Sequence, residues 1–180
     1  NVKNALGAVL LSLELDIPFD KIQSGLDQYT GVQRRFDIKY TTDNNIIIVD
    51  DYAHHPSEVS ATLGAAKSGW NCRVIAIFQP HLFTRTRDFY KDFALAFQQS
   101  DILIVTDIYP AREEPLEGIT AKIIADEAEK LGHGHIEFIA NQNNIPARLK
   151  DISQPNDMII TMGAGNIWRQ CEGIYEALNN

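Results

Sequence analysis

A chain of 180 residues with 44% apolar and 22% charged content can bury one good core and carry a short appendage. Its formal net charge of -8 argues against a nucleic-acid coat or a binder of anionic membranes, both of which depend on basic surfaces, so any anion site has to be local. Two cysteines, Cys72 in an apolar run and Cys171 in a predicted helix, form neither a disulfide framework nor a C-x-x-C pair. With no signal-peptide pattern and no run of membrane-spanning length, the expectation is a soluble chain of the reducing cytoplasm.

The first residues, Asn1-Val2-Lys3-Asn4-Ala5-Leu6, run straight into helical periodicity without an initiator methionine, as if cut from something longer. Val9, Leu10 and Leu13 recur at helical spacing, and Pro18 opens a second short helix carrying Phe19, Ile22 and Leu26. After Gly31 the pattern becomes a hairpin: Phe36 to Thr41, a turn at Asp43-Asn44-Asn45, then Ile46 to Val49. From there helices and strands alternate. Helices are expected over Pro56 to Ser68, Thr84 to Gln98, Thr120 to Leu131, Asn144 to Lys150 and Ile167 to Leu178. Strands are expected over Arg73 to Phe78, Ile102 to Thr106, Ile136 to Ile139 and Met158 to Met162. Near-continuous apolar strands between amphipathic helices predict an α/β fold. It is a Rossmann-like, mostly parallel sheet of about six strands with a leading antiparallel strand and helices on both faces.

Ligands of open α/β sheets bind beyond the carboxyl ends of the strands, and here those exits are rich in chemistry. One reads Asp50-Asp51-Tyr52-Ala53-His54-His55-Pro56, with two carboxylates, a phenol and two imidazoles in seven residues. A turn and helix cap would use some of them, and tandem histidines raise the question of a metal, but the helical spacing or further ligands that zinc requires are missing nearby. The next exit carries His81, Arg85 and Arg87 near the start of a helix, where backbone N–H groups favour a carboxylate or phosphate. A third runs from Asp107 through Tyr109 to Glu114, and the last is Gly163-Ala164-Gly165-Asn166, which suits either a close ligand approach or a tight turn. Arg34-Arg35 forms another positive spot, while His133 and His135 read as loop residues. No G-x-S-x-G elbow, G-x-G-x-x-G fingerprint or G-x-x-x-x-G-K-[ST] P-loop occurs in the chain.

Taken in order, Gly31-Val32-Gln33-Arg34-Arg35-Phe36, Asp50 to Pro56, Phe78-Gln79-Pro80-His81 through Arg85-Thr86-Arg87, Asp107-Ile108-Tyr109 and Met162 to Asn166 resemble the C-terminal domain of the Mur ligases, in their alanine-adding branch. The opening residues resemble the tail of that family's central ATPase domain, so the resemblance divides the chain into a helical tail over 1–30 and a C-terminal Rossmann-like domain over 31–180. It implies an ATP-dependent amide-forming ligase of peptidoglycan synthesis whose N-terminal and central domains lie outside this chain. ATP phosphorylates the lactyl carboxylate of UDP-N-acetylmuramate, the amine of L-alanine attacks the acyl phosphate, and Mg²⁺ is held mainly by the central domain.

The resemblance also implies roles. Asn4 would lie near adenine, Arg35 would approach the nucleotide and Asp51 would take the ribose, while Tyr52, His54, His81 and Arg85 would face the muramyl and alanine end. His55 would order the turn into Pro56. No residue is assigned a bond-making role, and the piece alone is expected to be inactive. Some members carry arginine where this chain has Leu82, which puts more of the substrate clamp on Arg85. Two alternatives stand beside this reading. One is a ligase adding a preformed tripeptide to the same sugar nucleotide; the other is a non-catalytic phospho-receiver module, which would also carry an acidic pair after a strand.

Overall fold

The computed structural model describes residues 2–29 and 31–179; Asn1, with which the opening motif begins, lies outside them, as do Thr30 and Asn180. The chain forms two compact units that divide between Val32 and Gln33. The first holds helices α1 (Val2–Glu14) and α2 (Phe19–Asp27). An Ala- and Leu-containing run without proline favours α1. It ends in a Schellman motif, with Asp16 left-handed at φ 56, its N–H donating to Leu13 and the Ile17 N–H to Ser12, before Pro18 blocks continuation. Among the described residues α1 buries none of its side chains and α2 buries Ile22.

The second unit contains strands β1 (Asp37–Thr41), β2 (Ile47–Asp51), β3 (Val74–Phe78), β4 (Ile102–Val105), β5 (Ile136–Phe138) and β6 (Met158–Met162). Its helices are α3 (Pro56–Gly69), α4 (Phe83–Ala96), α5 (Lys122–Lys130), α6 (Ile145–Ile152) and α7 (Gln170–Asn179). The strand order is β1-β2-β6-β3-β4-β5; β1 pairs antiparallel with β2 and every other pair is parallel. The expected architecture is therefore the observed one.

Two-residue alternation builds a core on each face. Val74, Ala76 and Phe78 join one apolar cluster with Leu63, Phe93 and Phe97, while Ile75 and Ile77 join another with Ile145, Leu149 and Ile174. Covered on both sides, β3 and β6 are buried at every position, which is why their sequences are almost purely apolar.

Two helix ends differ from expectation. The last helix starts with a 3₁₀ turn, Ile167–Arg169, because the buried Gln79 side chain accepts the N–H groups of Asn166 and Ile167 at 2.9 and 3.1 Å and fixes a tighter entry. The helix after β3 ends likewise in a 3₁₀ turn, Phe97–Gln99. After β3 the chain moves by α4 toward β4, whereas after β6 it turns by α7 toward β1 and β2. The two paths diverge at the β6–β3 boundary, where an open sheet leaves a crevice beyond its carboxyl ends.

Candidate functional site

The framework of the site begins before the sheet. Arg34 and Phe36 adopt left-handed backbone, φ 61 and 49, on either side of Arg35. This costs a side-chain-bearing residue about 1 kcal/mol or more, so it has to be held by contacts. The Arg34 carbonyl accepts the Tyr52 N–H at 2.7 Å, the Arg34 N–H donates to Asp37 at 3.2 Å, and the Phe36 N–H donates to Asp51 Oδ2 at 2.7 Å. The Phe36 ring stacks on Trp70 with centroids 5.2 Å apart.

This kink separates the two arginines. Arg34 turns inward, donating from Nε to Asp50 Oδ2 at 2.9 Å and from Nη2 to the Gly163 carbonyl at 2.6 Å, with its guanidinium 4.9 Å from the Tyr52 ring centroid. It thereby ties the exits of β2 and β6 together. Arg35 keeps its side chain 53% exposed, 5.6 Å from the same ring and 3.7 Å from Glu58 Oε1.

The acidic pair is interior. Asp50 is 1% exposed and also accepts the Thr161 hydroxyl at 2.8 Å. Asp51, 6% exposed, accepts the Phe36 and Ala53 N–H groups, each at 2.7 Å, on its two oxygens. Burial pushes its carboxyl above the usual value against the pull of those N–H groups and of Arg35.

Beyond Ala53, one carboxylate organises both histidines. Glu58 Oε2 accepts the N–H groups of His54 and His55 at 3.0 and 3.2 Å and lies 3.3 Å from His54 Nδ1. Burial alone would raise Glu58, but those donors, the His54 ring and Arg35 bring it below the ordinary carboxylate value. His54 Nδ1 is 2.9 Å from the Tyr52 carbonyl, and its ring meets Tyr52 edge-on at 5.1 Å and His81 at 6.2 Å. His55 caps α3, bonds Ser57 at 3.0 Å and packs on Phe89.

On the next exit His81 forms an isolated parallel bridge with Tyr109, and their rings stack at 5.8 Å. Burial, and then the neighbouring Arg85 charge, hold the His81 imidazole below its ordinary value, so it stays neutral near pH 7. His81 Nδ1 and Arg85 Nη1 are both buried without a hydrogen-bond partner in the protein. Two unspent polar atoms in one cluster make a site for a ligand that supplies acceptors. Leu82 precedes α4 at φ 73, its N–H donating to the Tyr109 carbonyl at 3.0 Å.

The start of α4 already has an anion from the chain itself. Glu113, on the β4 exit loop, accepts the Thr84 N–H at 3.0 Å and the Thr84 hydroxyl at 2.5 Å, and those bonds lower its carboxyl below the ordinary value. Binding of an external anion here therefore rests on the side chains of His81 and Arg85. Arg87 pairs with Asp88 at the exposed surface.

The glycines after β6 serve packing. A Cβ on Gly163 would lie 2.6 Å from the Gln79 carbonyl, and one on Gly165 would overlap Gln79 Oε1 and come 2.6 Å from the Tyr109 ring. Their close approach is thus to the neighbouring exits.

Tyr52, His54, His81, Arg85, Asp51 and Arg35 thus belong to one unit and gather around the β2 and β3 exits, whereas Asn4 is an exposed residue of the first unit. Glu58 was missed, although it follows His55 at capping-box spacing; Arg34 and Glu113 lie in stretches that the sequence singled out, but the partners that give them their roles, Asp50, Gly163 and Thr84, carry no local signal. A cleft of about 240 Å³ adjoins the cluster, lined by Gln79, Asp107, Tyr109, Asn141, Gln142 and Asn166, with Gln142 Oε1 buried and unpartnered. A larger cavity of about 420 Å³ lies along α5 and β5 and involves none of the site residues. Among the described residues no group of three or more His, Cys, Asp and Glu side chains is placed to hold a metal ion.

Residues 34–165 match the model of the Mur ligase, glutamate ligase domain. The UDP-N-acetylmuramate--L-alanine ligase of Geotalea uraniireducens is 47% identical over 178 residues, covering 99% of this chain and 39% of that protein. The crystal structure of the UDP-N-acetylmuramate-alanine ligase of Thermotoga maritima superposes with a TM-score of 0.79 at 29% identity, over 98% of this chain and 37% of that one. A murein peptide ligase from Psychrobacter arcticus shares the fold, with a TM-score of 0.70 at 23% identity over 99% of this chain and 37% of that one. The chain spans about two fifths of the length of the curated relatives it matches.

Proposed function

The chain belongs to the Mur ligase family through its glutamate ligase domain, and from that premise we propose that it is the C-terminal part of a cytoplasmic, ATP-dependent ligase joining L-alanine to UDP-N-acetylmuramate. The observation that carries the reading is the pair of buried, unpartnered atoms, His81 Nδ1 and Arg85 Nη1, beside Tyr52 and His54. An unspent guanidinium donor next to a neutral imidazole suits a carboxylate, and suits still better the acyl phosphate and tetrahedral adduct that follow from it.

In this reading Arg85 clamps the lactyl carboxylate, His81 adds a hydrogen bond, and Tyr52 and His54 wall the acceptor end. Arg35, the exposed member of the arginine pair, reaches for the nucleotide. Asp51 orders the segment through Phe36 and Ala53 and offers its remaining lone pairs to the ribose. Asn4 meets adenine. The described residues do not fit a Mg²⁺ site, so Mg²⁺ and the phosphate-binding loop are assigned to a central domain outside this chain, and no step is routed through the metal here. The helices of residues 2–29 would end that domain. The exposure of Leu6, Leu10 and Phe19, at 57, 64 and 61%, supports burial against it.

The tripeptide-adding alternative is disfavoured by curated relatives that carry the name of the L-alanine ligase and are 44 to 47% identical over 99 to 100% of this chain. The receiver alternative is disfavoured because residues 34–165 match the Mur ligase, glutamate ligase domain.

Calorimetric titration of the full-length protein with UDP-N-acetylmuramate tests the clamp. Arg85→Met should weaken binding about 10- to 100-fold, the equivalent of one charged hydrogen-bonded contact, while Arg87→Met should leave it alone. Equal loss from both, or from neither, would remove the clamp assignment.

A further inference from the structure

An α-amino group near neutral pH is mostly ammonium, so a ligase that makes an amide from it needs somewhere to put a proton. His54 is held as such an acceptor has to be. Its Nδ1 lies 2.9 Å from the Tyr52 carbonyl oxygen, which can only accept, so Nδ1 carries the hydrogen and Nε2 keeps its lone pair. Glu58 Oε2, 3.3 Å from the same Nδ1, supplies an anion at the ring's back and is itself pinned by the His54 and His55 N–H groups. A carbonyl and a carboxylate behind one ring nitrogen fix the tautomer and the orientation of the ring. The ring is held between Tyr52 and His81, and its side chain is 24% exposed, enough to pass a proton on to water.

We propose that His54 is the proton acceptor for the attacking amine, an assignment that rests on the ligase function proposed above. Nε2 takes one proton from the ammonium, which frees the nitrogen lone pair; the neutral amine then bonds to the carbonyl carbon of the acyl phosphate, and the second proton shed by nitrogen leaves with the departing phosphate. Collapse of the tetrahedral adduct breaks the bond from carbon to the phosphate oxygen, and phosphate leaves with the electron pair. The imidazolium is held through Nδ1–H by Tyr52 and Glu58 until its proton is released to solvent.

The ionisable groups around His54 come from each packed element: Tyr52 from the β2 exit, Glu58 from α3, and His81 and Arg85 from the β3 exit and α4. Arg35 lies beyond Tyr52 and Glu58, and Glu113 reaches His81 from the β4 exit loop. His81 suits the task less, since burial and Arg85 hold it below its ordinary value.

The test compares two nucleophiles on the full-length protein with ATP and UDP-N-acetylmuramate. L-alanine must shed a proton; hydroxylamine is already neutral at pH 7 and traps the same acyl phosphate as a hydroxamate. His54→Asn keeps a donor toward the Tyr52 carbonyl and removes Nε2. The ratio of hydroxamate to alanine product should rise ~100-fold at pH 7 and fall back toward the unsubstituted ratio as pH rises and alanine deprotonates unaided. Because the ratio is taken on one acyl phosphate, any loss of ATP or UDP-N-acetylmuramate binding cancels, and saturating L-alanine removes any loss in its own binding. His54→Gln should give the same split should the asparagine variant not fold. A ratio unchanged within about threefold in a folded variant, or a rise that does not depend on pH, overturns the assignment. If the unsubstituted protein forms hydroxamate but no alanine product, the alanine-adding reading itself is wrong, and His54 falls with it.

Discussion

Left-handed backbone at Arg34 and Phe36 sends two adjacent arginines in different directions, one into the fold and one to its surface. Removing Arg34 would leave Asp50, 1% exposed, with the Thr161 hydroxyl as its remaining side-chain partner among the described residues. Arg34→Met should therefore cost about 3 kcal/mol in urea denaturation, and Arg34→Met combined with Asp50→Asn should recover most of it, because the stranded charge is then gone. Equal loss in the single and double variants would mean that packing of the guanidinium stem dominates. His133 carries a pH signature. It is 8% exposed and bonded to Ser100 at 3.1 Å, and burial holds its imidazole below its ordinary value. The folded state thus prefers neutral His133. That stabilisation is complete above about pH 6.5 and is lost as pH falls through the lower folded value. His133→Gln should flatten the stability decline between about pH 7.5 and 5, leaving the part that His81 contributes with the same sign. An unchanged slope would contradict it. At this scale legibility follows chain distance. Asp50, Asp51, Tyr52 and His54 stood together at one strand end and invited attention. Whether an arginine of a pair turns in or out is decided by an aspartate 16 residues on and a carbonyl 129 residues on, and no local pattern carries that.

The sheet and its helices were largely readable because strand and helix periods leave distinct apolar patterns, and β3 and β6, covered on both faces, admit almost nothing else. Element ends were less so. The 3₁₀ entry to α7 is imposed by Gln79, and the start of α4 is capped by Glu113, 29 residues from Thr84. Both devices lie across neighbouring strand exits, so they exist only once the sheet has formed. The same packing explains the two glycines after β6, which the sequence left open between a ligand approach and a tight turn. Gly165→Ala would drive a methyl group into Gln79 and Tyr109. The expected cost is about 2 kcal/mol, read as a lowered melting temperature, with disturbance concentrated at the β3 and β4 exits in amide chemical shifts. Full stability in that variant would show that the exits can separate without cost.

For the whole molecule, the proposed reading divides the labour: Arg85 as carboxylate clamp, Arg35 toward the nucleotide and His54 as proton acceptor would come from this chain, whose sequence contains no phosphate-binding loop and whose described residues contain no metal cluster. Alone, the 180-residue chain should release no ADP in response to L-alanine, and alanine-dependent release from it would contradict the division of labour proposed here. The central claim is the identity of the amine acceptor's partner, and the full-length protein can be asked directly. With UDP-N-acetylmuramate and ATP in place, ADP release is measured against L-alanine and against the preformed tripeptide. The account predicts turnover with L-alanine and little with the tripeptide; preference for the tripeptide would contradict it.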